Sequence, residues 1–179
     1  MKKVVIFASG TGSNATNLVN LFKDGDLAEV VGILSNKEDA KVLDMARDEK
    51  ITSLVFSKHH LENEDLVDRF LEIVRPDLIV LAGFLLKFPA RLVDKFPKQV
   101  INLHPALLPK FGGKGMYGMN VHRAVVEAGE SETGITVHYV NAQYDEGAII
   151  KQEKCAVLPT DSAEDVFAKI RELEVNYFP

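Results

Sequence analysis

Two side chains that could act together on a carbonyl group stand two positions apart near the middle of the chain. Asn102 and His104 lie at the end of the apolar run "QVINL" and are followed by Pro105. Side chains two positions apart along a strand point the same way, so the amide and the imidazole are predicted to face one site. An amide N–H suits an oxygen that gains negative charge, and an imidazole moves a proton near neutral pH. The alternative is a capped strand with one hydrogen-bonded core histidine.

A carboxylate would complete this pair by fixing the tautomer of the imidazole and favouring its charged form. The strongest candidate is Asp145, which lies in the loop "NAQYDEG" between the last two predicted strands. An aspartate before Glu146 and Gly147 is also common in turns, so a purely local role stays open. Spacing along the chain does not by itself establish a contact between Asp145 and His104. If the three groups meet, they predict acid–base catalysis with stabilisation of an oxyanion.

A second candidate site is the turn "SGTGSN" near the start of the chain. Gly10 and Gly12 permit a tight turn, and the helix predicted after it offers free amides and a positive dipole end to an anion. Ser13 and Asn14 could cap that helix and donate to a phosphate. A monophosphate cradle, a dinucleotide fingerprint and a tight turn without a ligand all fit these glycines. The dinucleotide alternative lacks the acidic residue expected at the end of the second strand, and no Walker lysine follows.

The elements that must position these groups follow an alternating pattern. Near-continuous apolar runs such as "KVVIFAS", "EVVGILS" and "DLIVLAG" indicate a parallel sheet covered on both faces. Amphipathic stretches between such runs, among them "NATNLVNLFKDG" and "ENEDLVDRFLEIVR", are predicted to be helices. Downstream, "TGITVHYV" and "GAIIKQEKCAV" are predicted to form an antiparallel pair, followed by a helix with an N-cap serine. The predicted fold class is α/β, a doubly wound, mostly parallel, Rossmann-like sheet with an antiparallel C-terminal addition.

Composition narrows the classes of function. The 179 residues carry a net charge of −5, with no repeat or linker, which predicts a single domain over residues 1–179. The basic residues form no stripe, so neither nucleic acid nor an anionic membrane is indicated as a partner. No apolar run is long enough to span a membrane. The lone Cys155 is predicted to pack inside the protein, in a reducing compartment. The predicted location is therefore the cytoplasm.

The order of motifs along the whole chain resembles that of the glycinamide ribonucleotide transformylases, a family of folate-dependent formyltransferases of purine synthesis. The motifs that carry the resemblance are "FASGTGSN", "ILSNK", "PDLIVLAGF", "INLHPALLPKFGG", "GITVHYV", "YDEGAII" and "LPTDSAEDV". The Asn-x-His-Pro stretch with a downstream aspartate belongs to the wider formyltransferase fold, which includes methionyl-tRNA formyltransferase and formyltetrahydrofolate hydrolases. The phosphate-binding loop "GTGSN" and the compact length favour the nucleotide enzymes within that group.

The resemblance implies a reaction and a role for each group. The formyl group of 10-formyltetrahydrofolate, a co-substrate, would pass to the amine of glycinamide ribonucleotide, with no metal. His104 would be the general acid and Asn102 the donor to the formyl oxygen. Asp145 would be the carboxylate that raises the proton affinity of the histidine and helps the amine lose its proton. The N-terminal half would bind the nucleotide, and the C-terminal half would bind folate and carry catalysis. The implied partners are these small molecules, with the protein a monomer or a homodimer.

The resemblance also implies substrate-binding residues in both halves of the chain. Glu174 matches a glutamate that contacts the ribose or amine of the nucleotide, although an exposed helix glutamate is the alternative for it. The residues implied for the phosphate are Thr11, Gly12, Ser13 and Asn14. The residues implied for folate are Leu85, Leu86, Lys87, Phe88, Asn102, Asn141, Ala142, Gln143, Tyr144 and Asp145, together with His60 for the folate tail.

Some positions depart from the family pattern. Leu85 and Leu86 stand where members often carry Met-Arg, and Lys87 could supply the missing charge. Ala106 replaces a frequent serine, and the loop "GGKGMYGMN" is longer than its common form, which predicts a mobile lid or a surface insertion. These departures leave two alternatives open. One is another 10-formyltetrahydrofolate-dependent formyltransferase or hydrolase, and the other is a non-catalytic nucleotide-binding paralogue.

Overall fold

Strands and helices alternate along the chain in the computed structural model, which describes residues 1–63 and 66–178. In chain order the elements are β1 Lys2–Phe7, α1 Ser13–Lys23, β2 Ala28–Ser35, α2 Lys41–Asp48, β3 Ser53–Val55, α3 Lys58–Glu62, α4 Leu66–Val74, β4 Leu78–Ala82, α5 Ala90–Lys95, β5 Val100–His104, α6 Met119–Glu127, β6 Glu132–Tyr139, β7 Ile149–Ala156 and α7 Ala163–Tyr177.

The strands of the described residues form one seven-stranded sheet in the order β3-β2-β1-β4-β5-β6-β7. β1 pairs in parallel with both β2 and β4, and β2 pairs in parallel with β3. β7 pairs with β6 in the antiparallel direction. This arrangement confirms the predicted fold class, a mostly parallel α/β sheet with an antiparallel addition near the C-terminus.

The chain divides into two compact units, Met1–Ile101 and Asn102–Pro179, and the boundary falls within β5. The glycine turn belongs to the first unit, whereas the Asn-His pair and the loop that carries Asp145 belong to the second. A single domain over the whole chain stays a prediction.

In the first unit, the strand order reverses between β1 and β4, and in such sheets this is where ligands bind. The carboxyl end of β1 leads into the glycine turn, and the carboxyl end of β4 leads into residues 83–88. Phe7, which is fully buried, contacts Phe84 and Phe88 edge-on, with ring centroids 5.4 and 5.3 Å apart. The aromatic contacts therefore hold the chain after β4 against β1.

In the second unit, α7 packs against β6, β7 and α6 through one apolar stripe. Val166, Ile170 and Leu173 recur at helical spacing and are buried. Ser162 caps the helix as predicted, since its hydroxyl accepts a hydrogen bond from Asp165 N at 3.1 Å and Asp165 accepts one from Ser162 N at 2.8 Å. This reciprocal capping box fixes where α7 begins.

Two short helices differ from the sequence prediction. The stretch "ENEDLVDRFLEIVR" is predicted as one helix, but Glu62 ends α3 and α4 begins at Leu66, with residues 64 and 65 outside the described part. α6 begins at Met119, inside the segment predicted as a lid or insertion. With five residues, α3 presents too few apolar repeats for the periodicity of the sequence to detect. Among the described residues, no helix combines the length and the apolar character needed to cross a membrane.

Candidate active site

The end of β5 brings the predicted catalytic side chains of the second unit together. His104 Nδ1 lies 3.6 Å from Asp145 Oδ2, and Asn102 Nδ2 donates to Asp145 Oδ1 at 3.4 Å. The His104 ring is 3% exposed. Both strand side chains therefore reach the same carboxylate, as their two-residue spacing predicts. Their catalytic roles stay a prediction.

A second histidine, absent from the site residues predicted from the sequence, joins this cluster. His138 Nε2 lies 3.1 Å from Asn102 Nδ2 and 3.6 Å from Asp145 Oδ1. His138 Nδ1 lies 2.9 Å from Tyr139 O, and a carbonyl can only accept, so we assign the Nδ1–H tautomer to the neutral ring. Nε2 then accepts from Asn102. Polar Thr136 and His138 stand two apart in the apolar strand "GITVHYV", and this spacing is the signal that could have found His138.

The glycine-rich segment 111–118 reaches the same cluster through its backbone. His104 Nε2 lies 2.7 Å from Phe111 O, so Nε2 carries the hydrogen and Nδ1 is the nitrogen that takes up a further proton. Gly113 N donates to Asp145 Oδ2 at 2.9 Å. The segment therefore sets the tautomer of His104 and holds the carboxylate that faces its Nδ1.

Burial and local charge act in opposite directions on the protonation of this cluster. Burial lowers the pKa of His104 below its ordinary value, although the Asp145 carboxylate and the Phe111 carbonyl act to raise it. Burial acts to raise the pKa of Asp145, but the two neighbouring histidines and the Gly113 amide together lower it below its usual value. Near neutral pH, the cluster therefore holds a neutral His104 beside an ionised Asp145. Asp145 acts to raise the pKa of His104, as the resemblance implies, but burial lowers that pKa by more.

Two side chains fix the chain just after His104. The buried Thr136 hydroxyl donates to Ala106 O at 2.6 Å and accepts from Leu108 N at 3.1 Å. Gln152 Nε2 donates to Leu108 O at 3.0 Å and to Thr136 Oγ1 at 2.9 Å. These hydrogen bonds fix the backbone at Ala106 and Leu108, on the path from the strand to residue 111.

The glycine turn in the first unit opens α1 with a glycine cap. Gly12 is the N-cap, with φ 75° and ψ 19°, and the predicted side-chain cap from Ser13 or Asn14 is wrong because both residues lie in the first turn. A Cβ atom at Gly12 would lie 2.4 Å from Val42 Cγ2. Only glycine fits the left-handed conformation and the close approach of α2. The amides of the first turn are then presented at the positive end of the helix.

Comparison with known proteins identifies the family of this chain. Residues 2–179 match the model of the family described as formyl transferase. The chain belongs to the formyl transferase family. It is 36% identical to the phosphoribosylglycinamide formyltransferase of Haemophilus influenzae, over 100% of this chain and 84% of that protein. It is 39% identical to the chloroplastic phosphoribosylglycinamide formyltransferase of Arabidopsis thaliana, over 94% of this chain and 60% of that protein.

A solved structure gives the same result. This chain aligns with the crystal structure of glycinamide ribonucleotide transformylase 1 from Geobacillus kaustophilus with a TM-score of 0.89 and 33% sequence identity. The alignment covers 100% of this chain and 95% of that chain. The resemblance stated from the sequence motifs is thereby confirmed, as is the α/β fold that it implied.

The substrate residues implied by the family resemblance lie in different surroundings. Glu174 is 8% exposed and lies 3.4 Å from Arg171, so the alternative of an exposed helix glutamate is wrong. Phe88 packs in the core of the first unit, whereas Leu85 and Lys87 are exposed and Leu86 is half-buried. The exposed residues in the loop that precedes Asp145 are Asn141, Ala142, Gln143 and Tyr144.

His60 has a structural role in α3. Its Nδ1 accepts from Ser57 N, and its own N donates to Ser57 Oγ, both at 3.3 Å, in a capping box. A folate contact of His60 stays a prediction. Within residues 1–63 and 66–178, no group of three or more histidine, cysteine, aspartate or glutamate side chains is placed to hold a metal ion.

One buried histidine of α6 gives the folded state a measurable pH dependence. His122 is 2% exposed, its ring lies edge-on to Phe167 at 5.5 Å, and its Nδ1 has no hydrogen-bond partner among the described residues. Burial, with a smaller effect from the charge of His104, lowers the pKa of His122 from 6.5 to about 4. The neutral ring is therefore the form that folding selects.

The free energy of unfolding is expected to fall as the pH drops from about 6.5 to about 4, because the unfolded chain binds a proton that folded His122 excludes. The loss from this group is up to about 3 kcal/mol and is absent above pH 6.5. Urea unfolding of wild type and His122→Leu at pH 7 and pH 4.5 measures it. The variant should lose less stability on acidification, while His59→Gln, at an exposed histidine, should follow the wild type. Equal losses in His122→Leu and wild type would contradict this assignment.

Proposed function

We propose that this chain is a phosphoribosylglycinamide formyltransferase, which transfers the formyl group of 10-formyltetrahydrofolate to the amine of glycinamide ribonucleotide in de novo purine synthesis. The observation that carries the proposal is the cluster of Asn102, His104 and Asp145 at the end of β5. It occurs in a chain that aligns over its whole length with a relative named for this activity. Formyl folate and the nucleotide are then the two small-molecule substrates.

The protonation state of the cluster suits the proton transfers of this reaction. The amine attacks the formyl carbon, a C–N bond forms, and the carbonyl oxygen becomes an oxyanion. The amine then loses a proton to neutral His104 at Nδ1, which faces the Asp145 carboxylate at 3.6 Å. The imidazolium formed there is stabilised by the ionised Asp145. It donates its proton to the folate nitrogen as the bond from that nitrogen to the formyl carbon breaks. A positioned group of this kind contributes about 10²–10⁴ in rate.

Asn102 is the donor to the oxyanion in this proposal. Its amide hydrogens point to His138 Nε2 at 3.1 Å and to Asp145 Oδ1 at 3.4 Å. The longer bond is the weaker one, so the developing oxyanion takes the hydrogen that points to Asp145, while His138 keeps the amide oriented. One donor of this kind contributes about 10²–10³ in rate.

Each unit carries residues assigned to substrate binding in this proposal. The first turn of α1 binds the phosphate of the nucleotide through its amides, with Thr11 and Ser13 beside them. Glu174 contacts the ribose or the amine, and residues 85–88 and 141–145 bind the folate. Cytoplasmic location and a monomeric or homodimeric state stay predictions.

The test of the proposed function is formyl transfer from 10-formyltetrahydrofolate, assayed separately with glycinamide ribonucleotide, with other amines and with water alone. We expect turnover with the nucleotide only. Release of formate with water alone would assign the chain to the hydrolases. No turnover by folded protein that binds the nucleotide would favour a binding protein without catalysis.

A further inference from the structure

A buried hydroxyl connects three strand ends in the first unit. Ser9 lies two residues beyond the carboxyl end of β1 and is 3% exposed. Its Oγ donates to Asn36 Oδ1 at 2.6 Å, just beyond β2, and accepts from Leu85 N at 3.0 Å, beyond β4. Ser9 N donates to Gly83 O at 3.1 Å. Ser9 thus makes hydrogen bonds to the segments that follow β2 and β4, the two strands next to β1.

These bonds lie where the strand order reverses. Gly10, the next residue, accepts a hydrogen bond from Val42 N at 3.2 Å, and Gly12 is the N-cap of α1 two residues later. The same serine is therefore continuous with the glycine turn and bonded to the segment after β4. Because Leu85 is exposed, its amide would exchange with solvent freely if the buried hydroxyl did not hold it.

We infer that Ser9 is a positioning residue that ties the glycine turn to residues 84–88, so that the segment is held in one conformation for folate. The inference rests on the proposed function for the identity of the ligand, but not for the contact itself. Phe84 and Phe88 anchor the two ends of the segment on Phe7 through their rings. Neither ring fixes the backbone at Leu85, and the Ser9 hydroxyl supplies that bond.

Removal of the hydroxyl takes away the protein hydrogen-bond partner of the Leu85 amide and that of the Asn36 side chain. Ser9→Ala is therefore expected to raise the KM for 10-formyltetrahydrofolate by about 5- to 20-fold, with kcat within about twofold of wild type. A residue that only stabilises the core would change the melting temperature without separating KM from kcat. Ser9→Thr, which keeps the hydroxyl, should restore the wild-type KM.

Hydrogen exchange tests the contact without any assay of activity. The Leu85 amide, followed by NMR, should exchange at least about tenfold faster in Ser9→Ala than in wild type. Thr133→Val is the matched control, because Thr133 is buried and its hydroxyl has no hydrogen-bond partner among the described residues. It removes a buried hydroxyl in the other unit and should leave exchange at Leu85 unchanged.

The outcomes separate the two proposals. Unchanged exchange at Leu85 in Ser9→Ala, or faster exchange with an unchanged folate KM, would overturn the role of Ser9. Absence of formyl transfer by wild type would overturn the proposed function. In that case, calorimetric binding of tetrahydrofolate replaces KM, and equal affinity in wild type and Ser9→Ala would overturn the role of Ser9.

Discussion

Replacement of His104 by alanine is expected to lower kcat by about 10²–10⁴ with the fold retained. An imidazole can both accept and donate a proton, and Nδ1 of the His104 ring faces the Asp145 carboxylate. Steady-state formyl transfer with both substrates saturating gives the measurement. Circular dichroism and the melting temperature check the fold, because the variant also removes the bond to Phe111 O. Wild-type kcat in a folded His104→Ala protein would rule out the mechanism.

The charge of Asp145 can be tested separately from its shape. Asp145→Asn keeps the size of the side chain but removes the carboxylate that acts to raise the pKa of His104. The acid limb of the kcat/KM profile, which should already lie below the ordinary histidine value, is expected to move to lower pH in this variant. A limb that stays in place would assign that ionisation to another group. His59→Ala, at an exposed histidine of α3, is a control for both experiments.

Replacement of Gly12 by alanine is expected to lower the free energy of unfolding by about 2–5 kcal/mol and to abolish tight binding of the nucleotide. The φ angle of 75° is strained for any residue with a Cβ atom. The new atom would also lie 2.4 Å from Val42 Cγ2 and 2.9 Å from Val42 Cα, and the backbone atom cannot rotate away. The start of α1 must therefore move relative to α2, and the amides predicted to bind phosphate move with it.

Urea unfolding and the KM for glycinamide ribonucleotide measure the two effects of Gly12→Ala. Gly10→Ala is the matched control for stability, because a Cβ atom there would meet nothing within 4 Å. It should unfold near the wild-type urea concentration. Similar stabilities for the two variants would show that the overlap with Val42 has no energetic consequence.

The sequence by itself determined those features that depend on residues close together along the chain. The alternation of apolar runs and amphipathic stretches predicts the α/β fold, because strand and helix periods are local properties of the chain. The spacing of Asn102 and His104 predicts that both point to one site, because two residues make one strand repeat. The short helix α3 escapes this reasoning, since its five residues offer too few turns for a period to appear.

The tertiary structure decided which residues far apart in the sequence meet and which side chains are buried. Asp145 is 43 residues from Asn102, and no local pattern states that the loop after β6 returns to the end of β5. The same holds for His138 in this cluster and for the burial of Glu174. Spacing alone also gives no measure of desolvation, which lowers the pKa of His104 although a carboxylate faces it. The residue types and the fold class are thus local information, whereas proximity and burial exist only once the strands are assembled.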